Sequence, residues 1–278
     1  MTPNSANNKK AHPLIKLASS SSVKQVSGFA SVAAGLSIDQ LCQWYGSEKD
    51  AAPGRAAKGG KPYFVDHSGV TEKEHFAGET GGKKEGRKEE HLAIALFNDY
   101  GPSTEGLVTD QNDAISILDY QLPLKAASSD GLIGKVDLLA LDAADRLAVV
   151  ELKYMPVEGS VSRADTPLRA FLEGLAYCAL LEADIEGLHQ QAVEKFARPI
   201  VNNPPSLVVL ANNMYWEMYL NSKVAGTWEI ELQRLAMGVE NNLGIPVSFL
   251  SLSLPDDPVK YQDRRPKFIQ RPILERAW

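Results

Sequence analysis

Two apolar runs joined by a short polar segment stand out near the middle of the chain. Residues 132–141 read LIGKVDLLAL and residues 147–154 read LAVVELKY, with the polar sequence DAADR at 142–146 between them. Short apolar runs bounded by turn residues are typical of strands buried inside a sheet. The pattern therefore predicts a β-hairpin in which charged residues interrupt buried positions.

Further elements are predicted on both sides of this hairpin. Upstream, apolar residues at helical spacing predict a helix that ends near Gly101, and residues 114–124 predict a strand. Downstream, two helices alternate with two strands, at 167–183, 206–212, 228–242 and 246–254. Strands separated by helices favour parallel pairing, whereas the three consecutive strands favour an antiparallel meander. The predicted fold is α/β, with a mixed central β-sheet flanked by helices.

The charged residues of the predicted hairpin are Asp137, Glu151 and Lys153. Because side chains alternate along a strand, Glu151 and Lys153 point to the same side, about 6.6 Å apart. A three-residue loop at 143–145 would place Asp137 opposite Glu151, whereas a two-residue loop would oppose it to Val150. Two facing carboxylates repel each other unless a cation compensates, and Lys153 supplies one positive charge. A divalent metal ion would resolve the conflict.

The competing interpretation is an ordinary two-stranded ribbon. Its Glu151 and Lys153 would lie on a solvated face and form cross-strand pairs without any chemistry. The apolar first half of the same face and the placement of Asp137 among aliphatic residues argue against it.

These residues resemble the signature of a known superfamily. Asp137, thirteen intervening positions and then Glu151-Leu152-Lys153 resemble the PD-(D/E)XK, or restriction-endonuclease-like, phosphodiesterases, with Val136 where the name has proline. The resemblance implies a restriction-endonuclease-like core and a Mg²⁺-dependent phosphodiesterase, with Mn²⁺ as a possible substitute. DNA is the favoured substrate, cleaved by an endonuclease, and a homodimer is a further expectation because two-fold dimers are frequent in this fold.

The resemblance also implies roles for individual residues. Asp137 and Glu151 would be metal ligands together with the backbone carbonyl of Leu152, and Lys153 would assist the attacking water or stabilise developing charge. The family often carries an acid on its first helix, three positions before a core leucine. Glu89 matches that position and Glu90 is the second choice, although acids in a first helical turn are also favoured by the macrodipole alone.

Substrate contacts are expected from basic residues beside the motif. Arg87 and Lys88 lead into the first helix and would contact the phosphate backbone. Arg169, near the start of the helix after the motif, would also contact phosphate. Its alternative role is an ordinary ion pair with Glu173, four residues further along the helix.

Charge is distributed unevenly along the chain. The net charge is −6, but residues 1–38 and residues 259–278 each carry +4, so the middle carries −14. The predicted domains are a partly flexible N-terminal extension, the nuclease-like core and a basic C-terminal tail, over residues 1–83, 84–254 and 255–278. The acidic total favours the alternative function, a non-catalytic member of the fold that binds nucleic acid or protein.

Other features exclude some classes of protein. No run of apolar residues in the sequence is long enough for a transmembrane helix, so no membrane partner is expected. Cys42 and Cys178 lie in unrelated segments, which predicts neither a disulfide framework nor a zinc site and favours a cytoplasmic location.

Overall fold

The fold is α/β, with a mixed central sheet flanked by helices, and it is seen here in a computed structural model. The described residues are 12–53, 62–64, 88–102, 104, 106–109, 114–126, 130–156, 165–221, 227–256, 258–262 and 265–278. Among them the helices are α1 (Pro13–Ala18), α2 (Ser21–Lys24), α3 (Phe29–Gly35), α4 (Ile38–Asp50), α5 (Lys88–Tyr100), α6 (Pro167–Glu182), α7 (Ile185–Phe196), α8 (Asn213–Asn221) and α9 (Trp228–Leu243). The strands are β1 (Leu107–Val108), β2 (Ala114–Pro123), β3 (Lys135–Leu141), β4 (Arg146–Lys153), β5 (Val201–Asn212), β6 (Val247–Ser253), β7 (Val259–Gln262), β8 (Arg265–Phe268) and β9 (Ile273–Arg276).

Within the described ranges the main sheet has seven strands in the order β1-β2-β3-β4-β5-β6-β9. Strands β1 to β4 form an antiparallel meander, and β4, β5 and β6 are parallel. The predicted order of helix, meander, helix, strand, helix and strand is therefore confirmed, with α7, α8 and β1 as additions. Strand β9 then joins β6 in antiparallel fashion, so part of the expected C-terminal tail belongs to the sheet.

The β3–β4 hairpin has a three-residue loop, the alternative that places Asp137 opposite Glu151. The amide of Asp142 donates to the carbonyl of Arg146 at 2.9 Å, which closes the loop over residues 143–145. Asp145 adopts a φ of 55°, as the left-handed residue of such loops does. The pair farthest from the loop is Leu138 with Val150. The next positions on the two strands are Asp137 and Glu151.

Helices cover both faces of the sheet. Helix α6 lies on one face with α1 and α4, above residues that include Leu147 and Val149. Helix α5 lies on the other face, where its buried side chains meet alternate residues of the same strands. The β7–β8 ribbon packs against α5, and Thr109 after β1 bridges Leu274 of β9, so the sheet curls around α5.

Residues 12–50 fold onto the core of the protein. They form α1 to α4 and bury Leu14, Phe29 and Leu41 in the same core as α6. Glu48 of α4 is fully buried, and its carboxylate accepts hydrogen bonds from the amides of Leu14 at 2.8 Å and Ile15 at 3.2 Å. It thereby caps α1 from a neighbouring helix. None of the described helices combines the length and the apolar character that crossing a membrane requires.

Candidate active site

The Asp137 carboxylate lies at the end of the β3–β4 ladder, where it replaces a backbone acceptor. Its Oδ2 accepts a hydrogen bond from the amide of Leu152 at 3.0 Å, and its Oδ1 accepts one from Gln121 Nε2 at 3.2 Å. The carboxylate is half-buried and held from both neighbouring strands. The amide and the carbonyl of one strand residue leave on the same side, so the Leu152 carbonyl also points toward β3.

Glu151 and Lys153 continue the face of β4 that packs under α6. Both side chains are buried, with 3% and 5% of their surface exposed. Lys153 Nζ lies 2.7 Å from Glu151 Oε1. Glu151 Oε2 is buried and has no hydrogen-bond partner among the described residues, although buried carboxylate oxygens are costly to leave unsatisfied. A carboxylate oxygen in this position can accept a hydrogen bond or bind a cation.

Two further carboxylates surround the Lys153 ammonium. Glu89 Oε1, from the first turn of α5, lies 3.6 Å from Nζ, and Asp165 Oδ2, just before α6, lies 3.8 Å away. The Asp165 carbonyl accepts hydrogen bonds from the hydroxyls of Tyr215 at 2.7 Å and Tyr219 at 3.3 Å. Asp165 is therefore held in place from α8 while its carboxylate faces the site.

Arg169 lies at the edge of this cluster, one turn into α6. Its guanidinium contacts Asp165, four residues earlier, and its Nε lies 3.5 Å from Glu173 Oε2, four residues later. The hydroxyl of Tyr177 donates to Glu173 Oε1 at 3.2 Å. The ion pair with Glu173 was the alternative role for Arg169, and the structure brings it into the same cluster as Lys153.

Burial dominates the ionisation of these groups. Burial raises the pKa of Asp137 and raises that of Glu151 well above its ordinary range, and Lys153 opposes both shifts. Burial also raises the pKa of Glu89, to about 7, against the opposing effect of Lys153. Burial alone would lower the pKa of Lys153, but the surrounding carboxylates outweigh it and raise that pKa well above 10.5. The ammonium is thus the permanent charge around which carboxylates with raised pKa values are arranged.

The donors around the site suit a hard cation. Asp137, Glu151, Glu89, Asp165 and Glu173 outnumber the two cations beside them. Within the part of the chain that the structure describes, no set of three or more histidine, cysteine, aspartate or glutamate side chains is arranged to hold a metal. Mg²⁺ does not require such a set, because it keeps several waters and needs one or two carboxylates. The carboxylates of Asp137 and Glu151, the latter with its unsatisfied oxygen, and the Leu152 carbonyl are oxygen donors of the kind that this ion takes.

Comparisons of the chain with models of protein families, with curated proteins and with solved structures found no match. The site is therefore interpreted from its own geometry.

Most of the residues predicted from the sequence meet in this cluster. Asp137, Glu151, Lys153 and Glu89 converge at one end of β4, with Arg169 beside them. Two of the predicted phosphate contacts are not placed. Lys88 begins α5 but its side chain lies outside the described residues, as does the whole of Arg87.

Sequence reasoning missed Gln121 and the carboxylate of Asp165. The helix predicted at 167–183 begins at Pro167, and its N-cap Thr166 accepts a hydrogen bond from the Arg169 amide at 3.2 Å. The position of Asp165 beside this cap gives no signal of its tertiary contact with Lys153. Gln121 gave no signal because a glutamine in an apolar run is compatible with any exposed strand position.

Proposed function

We propose that the protein is a Mg²⁺-dependent phosphodiesterase of the PD-(D/E)XK type, with DNA as its substrate. The observation that carries the proposal is the convergence of Asp137, Glu151 and Lys153 at one strand end, where Glu151 Oε2 is buried and has no hydrogen-bond partner in the described part of the chain. The order of α5, the β2–β4 meander, α6 and the parallel strand β5 supports a restriction-endonuclease-like core.

The proposed ligands are the carboxylates of Asp137 and Glu151 and the backbone carbonyl of Leu152. Mg²⁺ bound there supplies Lewis-acid polarisation of a phosphoryl oxygen and lowers the pKa of a water molecule; Mn²⁺ is an alternative ion. The chain's own residues then account for the remaining tasks of phosphodiester hydrolysis.

Lys153 and Glu89 are suited to handling charge and protons. The raised pKa of Lys153 keeps its ammonium positive, so it can donate hydrogen bonds to the phosphate as negative charge develops. Glu89 has a pKa of about 7, which suits a general base at neutral pH. It lies 3.6 Å from Lys153, so a proton accepted by Glu89 would be removed beside the phosphate that Lys153 contacts.

Arg169 is proposed as a phosphate contact at the rim of the cluster. Its guanidinium is shared between Asp165 and Glu173, so a phosphate would compete with these two acids for the same donors. Arginine presents several donors in a planar fork and can contact a phosphate while keeping one of its present partners.

Cleavage of DNA tests the proposal directly. Wild-type protein is incubated with supercoiled plasmid and with linear duplex, in Mg²⁺, in Mn²⁺ and in chelator. We expect metal-dependent cleavage that Asp137→Asn, Glu151→Gln and Lys153→Met each reduce at least 100-fold. Glu194→Gln, an exposed position on α7, provides a matched control that retains cleavage. Cleavage that survives all three substitutions would contradict the residue assignment.

The Lys153 ammonium favours a second candidate, a non-catalytic nucleic-acid- or protein-binding member of the same fold. Its contact of 2.7 Å with Glu151 partly neutralises the acids even when no metal ion is bound. Calorimetric titration of the wild-type protein with Mn²⁺ separates the two candidates. No heat of binding, together with retention of DNA without cleavage, would favour the second.

A further inference from the structure

Gln121 of β2 has a backbone conformation that is unusual for a strand. Tyr120 pairs with Leu138, and one step along each strand brings Gln121 opposite Asp137. The φ of Gln121 is 52°, in the left-handed region that residues with a Cβ rarely adopt. Residues in such conformations are maintained by their surroundings, and they cluster at binding and catalytic sites.

The side chain of Gln121 contacts the candidate site. Its amide Nε2 donates to Asp137 Oδ1 at 3.2 Å, while the Leu152 amide donates to Oδ2 at 3.0 Å. Within the described ranges each oxygen of Asp137 therefore has one donor, which leaves a lone pair on each for another partner. The two donors come from strands on opposite sides of β3, so together they fix the plane of the carboxylate.

We propose that Gln121 is a positioning residue, which orients the Asp137 carboxylate toward the cation site. The inference rests on the proposed function of that site. A neutral amide can orient a carboxylate without competing with a bound cation for its charge, whereas Lys153 competes. Carboxylates that bind metal ions are themselves hydrogen-bonded, and loss of such a partner typically costs 10–100-fold in metal affinity or activity.

Two substitutions separate the hydrogen bond from the backbone strain. Gln121→Met keeps a side chain of similar length but removes the donor, and the left-handed conformation stays strained. Gln121→Gly removes the donor and relieves the strain, because glycine adopts positive φ without penalty. We expect both variants to bind Mn²⁺ about 10-fold or more weakly than the wild type in calorimetry. The melting temperature should be unchanged or higher for Gln121→Gly alone.

Ala197 supplies a matched control elsewhere in the chain. It is an exposed residue after α7 with the same φ of 52°. It lies near the hairpin loop, where Arg198 contacts Asp145 at 3.1 Å, at the opposite end of the strands from the cluster. Ala197→Gly should raise the melting temperature and leave the Mn²⁺ affinity unchanged.

The outcomes distinguish this inference from the function on which it rests. If the wild type binds Mn²⁺ and both Gln121 variants bind it equally well, the positioning role is wrong and the proposed function stands. An equal loss of affinity in Ala197→Gly would also overturn the role, because a backbone effect would then be responsible. If the wild type binds neither Mn²⁺ nor Mg²⁺, the proposed function fails and the inference fails with it.

Discussion

Gly174 of α6 lies directly against Glu151 of β4, because a Cβ built on the glycine would be only 3.5 Å from the Cβ of the glutamate. The same Cβ would overlap the side chain of Leu207 on β5. The missing side chain therefore lets the helix approach the sheet at the point where the buried acid leaves its strand. This close approach brings Glu173 and Tyr177 toward the acidic cluster.

Replacing Gly174 with alanine should push α6 away from the sheet. We expect a loss of about 1–3 kcal/mol in the free energy of unfolding, measured by urea denaturation, because the core has no space for the methyl group. Gly46→Ala is the matched control, since Gly46 is exposed in the middle of α4 with nothing within 4 Å of the added atom. That change should stabilise the protein by about 0.5–1 kcal/mol. Equal effects of the two substitutions would contradict the packing argument.

Lys153→Met should destabilise the protein, and more so at high pH. Lys153 lowers the pKa values of Asp137 and Glu151, so its loss raises them further above their values in the unfolded chain. An acid whose pKa is raised by folding contributes stability at low pH that is lost as the pH rises. We expect the free energy of unfolding to fall by about 3 kcal/mol at pH 8 and by less at pH 5. Lys24→Met, at an exposed position of α2, should have little effect at either pH; a pH-independent cost at Lys153 would refute the account.

Glu89→Gln should remove one source of pH dependence. Folding raises the pKa of Glu89 from 4.5 to about 7, so its contribution to stability is present below pH 4.5 and lost as the pH rises through 7. Glutamine does not titrate and has no such loss. The free energy of unfolding of the variant should therefore rise relative to that of the wild type between pH 4.5 and 7. Because 39% of the Glu89 side chain is exposed, solvent screening limits the gain to about 1 kcal/mol. Denaturation curves from pH 4 to 8 measure it, with Glu194→Gln as the control that should show no trend.

Trp278→Ala should weaken the aromatic cluster under β6. The Trp278 ring stacks on Phe249 with centroids 5.0 Å apart, and it meets the rings of Trp216 at 5.0 Å and Trp228 at 5.4 Å edge-on. Since the indole is only partly buried, we expect a loss of about 2–4 kcal/mol in the free energy of unfolding. Thermal denaturation with near-ultraviolet circular dichroism reports both the stability and the packing of the rings. Met237→Ala, with 62% of Met237 exposed on α9, should change stability by less than about 0.5 kcal/mol.

The hairpin that carries the candidate site could be predicted from the sequence because its signals are local. The sequence DAADR has room for a three-residue loop, and alternation along the strands then assigns Asp137, Glu151 and Lys153 to one face. The helical spacing of the apolar residues that follow places Glu89 on the same helix face as Leu92 and Leu96, and the family resemblance made it a candidate. These placements needed only the periodicity of one element at a time.

Other parts of the structure depend on contacts between distant segments. Asp165 and Lys153 meet across a tertiary contact of 3.8 Å, and Gln121, with a left-handed backbone, contacts Asp137 on the neighbouring strand. Helices α1, α2 and α3 have only 6, 4 and 7 residues, too few to show a clear hydrophobic period, and α1 is capped by Glu48 from α4. When a side chain from another helix accepts the hydrogen bonds of the first amides, the residues of the capped helix alone do not show where it begins.

The bridge between Thr109 and Leu274 has a consequence for association between molecules. Exposed strand edges are templates on which other chains can add a strand, and proteins that leave them open risk aggregation. Here the two outer strands of the sheet approach each other around α5, so an incoming strand would have to separate them first. If two copies of the chain associate, we therefore expect them to meet through helices or loops, with their sheets remaining separate.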